Sequence, residues 1–247
     1  MKPSTINLCG LAAVKARFER EPGSIVRLFF DEATSRKIAP MCKALAAARK
    51  VYRCVPPAEL EKVGGSIHHG GIVAVVNAPA LVSPTQADVV RWAKAHTPVL
   101  LLDRIGNAHN LGALARTAAF LGVEHLVIPA HPSAAVPNDA AYRVAEGGLE
   151  SIKVWRVNDL AAFAKALASA GYEVSGAATR GGRIDALVPG SKPVALIMGN
   201  EEHGLDPKVS AACTRLVTIP GTGKVESLNV SVAGAILLYA LLRPPVN

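Results

Sequence analysis

Short apolar runs alternate with helix-like stretches throughout the C-terminal part of the chain. The run at residues 99–103 is apolar up to its closing aspartate, and the later runs are also rich in apolar residues. These runs lie at 125–128, 154–157, 173–178, 194–198 and 216–219. Strands that are apolar on both faces are typical of a parallel sheet with helices packed on each side. The pattern therefore predicts an α/β domain built on a parallel sheet.

The N-terminal part of the chain predicts a second, smaller α/β domain. Strand-like runs lie at 25–30, 51–55 and 72–76, and helix-like runs lie at 33–50, with a break near Pro40, and at 57–63. Proline-containing turns at 78–85 precede a short amphipathic run at 86–95, which indicates a linker and one connecting helix. We therefore expect a small N-terminal α/β domain at 1–77, a linker with its helix at 78–97 and a larger domain at 98–247.

The last helix is expected to be capped by Ser227, since serine is a good N-cap residue, and to run to Leu242. Its apolar stretch at 230–242 has 13 residues, which is too short to span a bilayer and is typical of a core helix. The first residues, Met1-Lys2-Pro3-Ser4, lack the apolar run of a secretory signal. These features favour a cytoplasmic protein that does not enter the membrane.

Positive charge is concentrated in the first 97 residues. This part holds 14 Lys and Arg against 7 Asp and Glu, an excess of 7, while residues 98–247 hold 13 against 12, an excess of 1. A basic domain beside a nearly neutral one indicates that the N-terminal part contacts a polyanion such as a nucleic acid.

The cysteines and histidines form no metal-binding or disulfide pattern. Cys9, Cys42, Cys54 and Cys213 are far apart and include no CxxC pair, which is typical of reduced thiols in a cytosolic protein. The histidines likewise lack the spacing of zinc ligands. We therefore expect no bound metal.

The first of three polar clusters follows the apolar run at 99–103. Residues 103–116 read DRIGNAHNLGALAR, so a strand ends, a polar loop follows and a helix is expected to begin near Asn110. Ligands of open α/β sheets bind beyond the carboxyl ends of the strands, which places this loop well for a site. Gly112 and Arg116 lie four residues apart on one helical face, where the glycine leaves room for a partner beside the arginine. Taken alone, Arg116 fits a solvated surface cation equally well.

The second cluster is VALIMGNEEHGL at residues 194–205. It takes a buried strand directly into a glycine, two acids and another glycine. Gly199 would allow a ligand to approach the backbone closely, although an ordinary strand-to-helix turn looks the same.

The third cluster is VTIPGTGKVESLNVS at residues 217–231. Gly223-Lys224 superficially suggests a phosphate-binding loop. However, Thr218 and Val225 stand where that motif requires Gly and Ser or Thr. The chain also lacks GxGxxG, which disfavours a nucleotide-dependent oxidoreductase.

Together the three clusters resemble the SpoU class of RNA methyltransferases, also called the TrmH-like class. The order and spacing of the motif residues agree in all three. The matching residues are Asn110-Leu111-Gly112 with Arg116, then Gly199-Asn200-Glu201 with Gly204-Leu205, then Ile219-Pro220 with Gly223 and residues 226–231.

A fainter likeness extends to the N-terminal part. Residues 10–15 and 69–72 look like the start and end of the ribosomal-protein-like RNA-binding extension of some family members. Ala12, Gly70 and Gly221 differ from the residues that are common at these places. These departures bear on the choice of RNA more than on methyl transfer.

The resemblance implies a C-terminal parallel sheet that is threaded into a deep trefoil knot, and a homodimer with its site near the dimer interface. It implies S-adenosyl-L-methionine as the cofactor, held in a bent shape mainly by backbone groups of the knot loops. The residues carried over for cofactor binding are Gly199, Gly204, Ile219, Leu228, Asn229 and Thr179.

The resemblance also implies methyl transfer from the sulfonium to a ribose 2′-hydroxyl of RNA. The catalytic residues carried over are Arg116, Asn110, Ser227, Asn229 and Glu201. Family members place the arginine at the centre of catalysis, sometimes as the base. A guanidinium stays protonated in proteins, so we expect Arg116 to bind the adjacent phosphate and to stabilise the developing alkoxide. Asn110, Ser227 and Asn229 are expected to orient Arg116 and the ribose, while Glu201 either fixes the cofactor loop or pairs with Arg116.

Two alternatives remain, one for the RNA substrate and one for the activity. Ribosomal RNA is favoured over transfer RNA, because the N-terminal extension is of the type found on enzymes that modify ribosomal RNA. A protein of the same fold could also bind RNA without catalysis. The three clusters retain all their polar motif residues, which argues against that alternative.

Overall fold

A computed structural model of the protein describes residues 4–182 and 190–242. The N-terminal part forms a four-stranded sheet with the strand order β1-β4-β2-β3. Its strands are β1 (Thr5–Cys9), β2 (Ile25–Phe30), β3 (Val51–Cys54) and β4 (Ile72–Asn77). Its helices are α1 (Leu11–Arg20), α2 (Glu32–Ser35), α3 (Ala39–Ala47) and α4 (Pro57–Gly64).

The small α/β domain that the sequence predicts is confirmed, with two elements added at its start. Strand β1 pairs antiparallel with β4, so β4 is central and its Val and Ile side chains are buried on both faces of the sheet. Strand β1 and helix α1 were not predicted, since β1 is short and mixes polar and apolar residues. The predicted helix at 33–50 is two helices, α2 and α3, that are separated before Pro40.

The C-terminal part forms a six-stranded sheet with the order β10-β8-β9-β5-β6-β7, in which every neighbouring pair is parallel. Its strands are β5 (Val99–Leu102), β6 (His125–Pro129), β7 (Lys153–Val157), β8 (Glu173–Ala177), β9 (Val194–Met198) and β10 (Arg215–Val217). The helices are α5 (Gln86–Lys94), α6 (Ala108–Phe120), α7 (Asp139–Ala145), α8 (Gly148–Ser151), α9 (Leu160–Ser169), α10 (Pro207–Ala212) and α11 (Val230–Leu242). The predicted parallel sheet is confirmed.

Alternate residues of the central strands enter two separate hydrophobic layers. Leu100 and Leu102 of β5 pack in the layer that holds α6, α7 and α11, whereas Val99 and Leu101 pack in the layer that holds α5, α9 and α10. Both faces of the sheet are therefore covered, which explains why these strands read as continuous apolar runs.

Helix α5 is the connecting helix that the sequence predicts at 86–95. Thr85 and Asp88 form a reciprocal capping box at its start. Val89 and Trp92 are buried in the second layer of the C-terminal sheet, and the indole of Trp92 stacks on His125 with ring centroids 4.0 Å apart. The helix thus covers the sheet as well as connecting the two parts of the chain.

The two sheets are joined by polar contacts that are partly or wholly buried. The guanidinium of Arg17 on α1 lies 2.6 Å from the carboxylate of Glu150 on α8, and both side chains are less than 5% exposed. The backbone and side-chain amides of Asn7 each donate to the carboxylate of Asp139 at 3.0 Å. These contacts fix the N-terminal domain against α7 and α8.

Two predicted helix starts differ from the observed ones. Helix α6 begins at Ala108 and is capped by Asn107, so Asn110 lies within its first turn rather than at its start. Helix α11 begins at Val230, and its amide at Ser231 donates to the side-chain oxygen of Asn229 at 2.8 Å. The prediction that Ser227 caps this helix is therefore wrong, because Asn229 occupies the capping position.

Among the described helices, none combines the length and the apolar character that crossing a bilayer would require.

The capping role of Asn229 predicts a specific loss of stability. Replacing Asn229 with Ala should lower the free energy of unfolding by about 1 kcal/mol, since an N-terminal amide of α11 loses its acceptor. Ser227→Ala, two residues earlier in an exposed loop, is the matched control and should change stability by less than about 0.5 kcal/mol. Urea denaturation measures both. A larger loss for Ser227→Ala than for Asn229→Ala would contradict the assignment.

The buried ion pair between the domains predicts a compensating double substitution. Glu150→Leu alone leaves the Arg17 guanidinium buried without a counter-charge and should cost about 3–5 kcal/mol. Adding Arg17→Met should restore most of this loss, because an apolar pair of similar volume removes the uncompensated charge. Glu21, the exposed second partner of Arg17, is the control, and Glu21→Gln should cost at most about 1 kcal/mol. A double variant no more stable than Glu150→Leu would argue against this account of the pair.

Candidate functional site

The three polar clusters all follow strands of the C-terminal sheet. Because neighbouring strands are parallel, the turns after β5, β9 and β10 leave the sheet at the same edge. The first turn leads into α6, the second spans residues 199–206, and the third is the 218–229 loop that leads into α11. Segments distant in sequence thereby form one candidate site at the carboxyl edge.

Three of the predicted site residues meet through hydrogen bonds. The amide nitrogen of Asn110 donates to a carboxylate oxygen of Glu201 at 2.6 Å. The amide nitrogen of Asn229 donates to the side-chain oxygen of Asn110 at 3.2 Å. One residue from each cluster thus enters a single polar network, the Asn110–Glu201–Asn229 network. All three side chains are at least partly accessible to solvent, so a ligand can reach them.

A second network, which the sequence analysis missed, ties the first two turns together. Asp103 is 2% exposed, and its carboxylate accepts from Arg104 at 3.0 Å and from the backbone amide of Asp206 at 2.6 Å. The side chain of Asn200 donates to the carbonyl of Arg104 at 2.9 Å. This network holds the turn after β5 against the turn after β9, and so fixes the distance between Asn110 and Glu201.

Asp103 shifts the pKa of two neighbouring side chains, Arg104 and Cys213. The hydrogen bond to Asp103 raises the pKa of Arg104. Burial, followed by the negative charge of Asp103, raises the pKa of Cys213 to about 11, so this thiol stays protonated and is a poor nucleophile at neutral pH. The nearby cysteine therefore contributes packing rather than covalent chemistry.

Gly199 serves the tight turn after β9. A Cβ on Gly199 would lie 2.5 Å from the carbonyl carbon of Gly204, and the two segments are bridged by backbone hydrogen bonds between Asn200 and Gly204. The space that the sequence analysis assigned to a ligand at the Cβ position is thus filled by the chain itself. Gly204 has a φ of +65°, in the left-handed region that favours glycine.

The predicted cofactor residues of the third cluster lie on an accessible loop. Ile219 is partly buried against the hydrophobic layer of α6 and α11, Leu228 is 49% exposed, and Ser227 is exposed. The hydroxyl of Thr218 accepts from the amide of Gly182 at 2.9 Å and donates to the carbonyl of Ala178 at 3.0 Å. These bonds hold the segment that contains Thr179 beside the 218–229 loop.

Arg116 lies apart from the Asn110–Glu201–Asn229 network. It lies six positions after Asn110, which corresponds to about 9 Å along α6. Its guanidinium contacts the carboxylate of Glu146, just after α7, at 3.0 Å. Glu201 does not pair with Arg116 in the structure, because its carboxylate accepts a hydrogen bond from Asn110 and Arg116 pairs with Glu146.

Two glycines bring α7 and α8 close to the Arg116 region of α6. A Cβ on Gly112 would lie 2.4 Å from the carbonyl oxygen of Ala141, so α7 fills the space beside Arg116 that the sequence analysis left for a partner. A Cβ on Gly148 would lie 2.7 Å from the Cα of Arg116. The backbone at Arg116 is therefore held directly by the start of α8.

The arrangement offers hydrogen-bonding and electrostatic functions. Amides and a carboxylate converge at one edge, an exposed loop supplies backbone groups and the apolar side chains of Ile219 and Leu228, and a cation lies on the adjoining helix. Among the described residues, no group of His, Cys, Asp and Glu side chains is positioned to hold a metal ion.

Comparison with known proteins identifies both parts of the chain. Residues 97–239 match the model of the SpoU rRNA Methylase family, and residues 8–82 match the model named RNA 2′-O ribose methyltransferase substrate binding. The two matches agree with the two sheets and with the clusters that carried the resemblance.

Two curated relatives are 33% identical to this chain. The match to the 23S rRNA (guanosine-2′-O-)-methyltransferase RlmB of Bordetella pertussis covers 97% of this chain and 98% of the relative. The match to the uncharacterized tRNA/rRNA methyltransferase YfiF of Escherichia coli O157:H7 covers 93% of this chain but only 65% of the relative, so this chain spans less than two thirds of that protein.

A solved structure has the same fold. The SpoU methyltransferase AviRb from Streptomyces viridochromogenes, crystallised with AdoMet, superposes with a TM-score of 0.73 at 24% identity, covering 97% of this chain and 89% of that chain. The structural likeness includes both parts of the chain that the family models match. The protein belongs to the SpoU rRNA methylase family.

Proposed function

We propose that this protein transfers the methyl group of S-adenosyl-L-methionine to a ribose 2′-hydroxyl of ribosomal RNA. The observation that carries the proposal is the convergence of the three family clusters at one edge of the sheet, through the hydrogen bonds of Asn110 with Glu201 and Asn229. Membership of the SpoU rRNA methylase family and the similarity to RlmB over nearly the full chain support methyl transfer to ribosomal RNA.

The residues at the carboxyl edge fit the cofactor in chemical character. S-adenosyl-L-methionine needs hydrogen-bonding partners for its adenine, ribose and methionine groups, and apolar surface beside them. The 218–229 loop provides exposed backbone groups together with Ile219 and Leu228, and the Thr179 segment and the Gly199–Gly204 turn flank it. AviRb, a protein of the same fold, was crystallised with this cofactor. The bound cofactor would supply an already activated methyl group on a sulfonium.

The protein's own residues would position the acceptor and balance its charge. We assign Arg116 to bind the phosphate next to the reacting ribose and to stabilise the alkoxide as it forms, because its guanidinium stays protonated. Asn110 and Asn229 would orient the ribose, with Glu201 fixing the amide of Asn110 and Ser227 as a further contact from the loop. Orientation of this kind can contribute about 7–11 kcal/mol to lowering the barrier.

The N-terminal domain would bind the RNA. It matches a substrate-binding family model, and residues 1–97 carry an excess of 7 positive charges. Its edge strand β3 is exposed along its whole length, with Arg53 on the same face of the sheet as the exposed Arg27 of β2 and Tyr52 on the other face. The two arginines are suitable partners for RNA phosphates, and an exposed tyrosine can stack on an unpaired base.

Transfer RNA is the alternative substrate, and an RNA-binding protein without catalysis is the alternative function. The name of the YfiF relative covers both transfer and ribosomal RNA. The match to RlmB over nearly the full length of both proteins favours ribosomal RNA. A pure RNA-binding protein would give no heat when titrated with S-adenosyl-L-methionine, so calorimetry separates that function from methyl transfer.

The functional unit is proposed to be a homodimer formed through α11. This helix contains no charged residue, and Val232, Ile236 and Tyr239 on one face are 48%, 41% and 60% exposed. A helix that is apolar on all sides is normally buried, which favours a second copy of the chain as the cover of this face.

We also propose the trefoil knot of the family for the C-terminal sheet and a cytoplasmic location, where ribosomal RNA is found.

The role of Arg116 predicts a loss of catalysis without a loss of cofactor binding. Arg116→Ala should reduce methyl transfer by about 10²–10³-fold, since a charge-stabilising donor is removed from the transition state. Its affinity for S-adenosyl-L-methionine, measured by calorimetry, should stay within about twofold. Lys165→Ala, at an exposed cation of α9 on the opposite face of the sheet, is the control and should keep full activity. Full activity of Arg116→Ala in a tritium-transfer assay on ribosomal RNA would refute the assignment.

The dimer predicts a matched pair of charge substitutions. Ile236→Glu should shift the protein from dimer to monomer in sedimentation velocity, because an unpaired carboxylate would be buried between the two α11 helices. Val90→Glu on α5, where the native side chain is 39% exposed, is the control and should leave the oligomeric state unchanged. A dimer of unchanged stability in Ile236→Glu would exclude this face as the interface.

A further inference from the structure

Glu146 is the acidic partner of Arg116 in the structure. Its carboxylate lies 3.0 Å from a terminal nitrogen of the guanidinium, and the two side chains are 63% and 56% exposed. Neither the sequence motifs nor the family comparisons assign a role to Glu146. A carboxylate with no assigned role therefore pairs with the cation that is proposed to bind RNA.

The backbone around Glu146 is built to hold it at this position. Glu146 ends α7 with a φ of +44°, a left-handed conformation that few residues other than glycine adopt. Gly147 follows with a φ of +93°, and the missing Cβ of Gly148 allows α8 to contact the backbone of Arg116. The 146–148 elbow thus contacts the backbone of Arg116 through Gly148 and its guanidinium through Glu146.

The same elbow is fixed to the N-terminal domain. The backbone of Gly147 lies against the first turn of α1 at Ala12 and Ala13, and Glu150 forms the buried ion pair with Arg17. The backbone of the elbow is therefore held by packing from two sides, so the position of Glu146 near Arg116 does not depend on the strength of the ion pair alone.

The ion pair is weak enough to be exchanged for another anion. Both side chains are more than half exposed, and ion pairs in water contribute little because the charges are already solvated. A phosphodiester carries the same charge as a carboxylate and can accept two parallel hydrogen bonds from a guanidinium. An RNA phosphate can therefore replace Glu146 at Arg116 at a small cost.

We propose that Glu146 is an intramolecular competitor that occupies Arg116 in the free protein and yields it to a phosphate of the RNA substrate. This proposal rests on the proposed function, in which Arg116 contacts RNA. Glu146 lowers the affinity of Arg116 for an isolated phosphate. A phosphate that contacts Arg116 alone is then bound weakly, and strong binding requires RNA that also engages the basic N-terminal domain.

The test is the isosteric substitution Glu146→Gln, which removes the charge and keeps the size of the side chain. We expect it to tighten binding of a ribosomal RNA fragment about three- to fivefold and to lower KM by a similar factor, with kcat unchanged. Binding of a short unrelated RNA that reaches Arg116 should tighten by a similar factor, because both RNAs displace the same carboxylate, and unchanged affinity for both would overturn the proposal. Glu124→Gln, another exposed carboxylate, at the opposite edge of the sheet, is the control and should change affinity by less than twofold.

A double-substitution cycle tests whether Glu146→Gln changes RNA affinity through Arg116. In an Arg116→Ala background, Glu146→Gln should no longer change RNA affinity, because the group that it competes for is absent. Equal tightening in both backgrounds would overturn the proposal in favour of a general charge effect. A fall in kcat at unchanged RNA affinity would also overturn it, since Glu146 would then orient Arg116 during catalysis.

The cycle also separates this proposal from the proposed function. Full methylation by Arg116→Ala, combined with an Arg116-dependent effect of Glu146→Gln on RNA affinity, would refute the catalytic role of Arg116 and retain the exchange of anions. Loss of methylation in Arg116→Ala, combined with an effect of Glu146→Gln on RNA affinity that does not depend on Arg116, would support the catalytic role of Arg116 and refute the exchange of anions.

Discussion

The burial of both faces of the C-terminal sheet is the constraint on which the site depends. Neighbouring strands of this sheet are all parallel, and parallel strands need crossover connections, most of which run here through helices packed on the two faces. All the polar turns that follow the central strands are therefore collected at one edge. Asn110, Glu201 and Asn229 lie up to 119 residues apart in the chain, yet they share one hydrogen-bonded network. The network follows from the topology of the sheet and from the tight turn at Gly199.

The elbow between α7 and α8 connects the two functions of the chain. On one side its glycines allow backbone contact with α6 at Arg116, and on the other Glu150 receives Arg17 from the N-terminal domain. The domain that would recognise RNA is thus fixed to the segment that holds the proposed catalytic cation. Close-packed interiors have little free volume, so we expect a displacement of one to be transmitted to the other.

Features with a local signal could be predicted from the sequence. The apolar runs located the six strands of the parallel sheet, and the family clusters identified the members of the Asn110–Glu201–Asn229 network. The short strand β1 and helix α1 carry a weak apolar pattern, so they were missed. The N-cap of α11 was assigned to Ser227 because serine and asparagine are about equally good caps, and only the backbone distinguishes them.

Contacts between distant residues could not be predicted without the fold. Asn200 binds the carbonyl of Arg104 across 96 positions of the chain, and Asp103 binds the amide of Asp206 across 103. No spacing rule connects such residues. The partner of Arg116 is of the same kind, since Glu146 follows a helix whose approach depends on Gly112.

Because the Arg17–Glu150 pair is buried, the contact between the two domains and the contact with nucleic acid should respond differently to ionic strength. Dissolved ions screen charges that face water but reach buried ones poorly, so the attachment of the two domains should persist in concentrated salt. The exposed cations of the N-terminal domain lose their hold on a phosphate backbone under the same conditions, as counterions compete for it. Concentrated salt should therefore dissociate nucleic acid from the protein while the two domains stay attached, so the domain arrangement needed to bind the next RNA is kept.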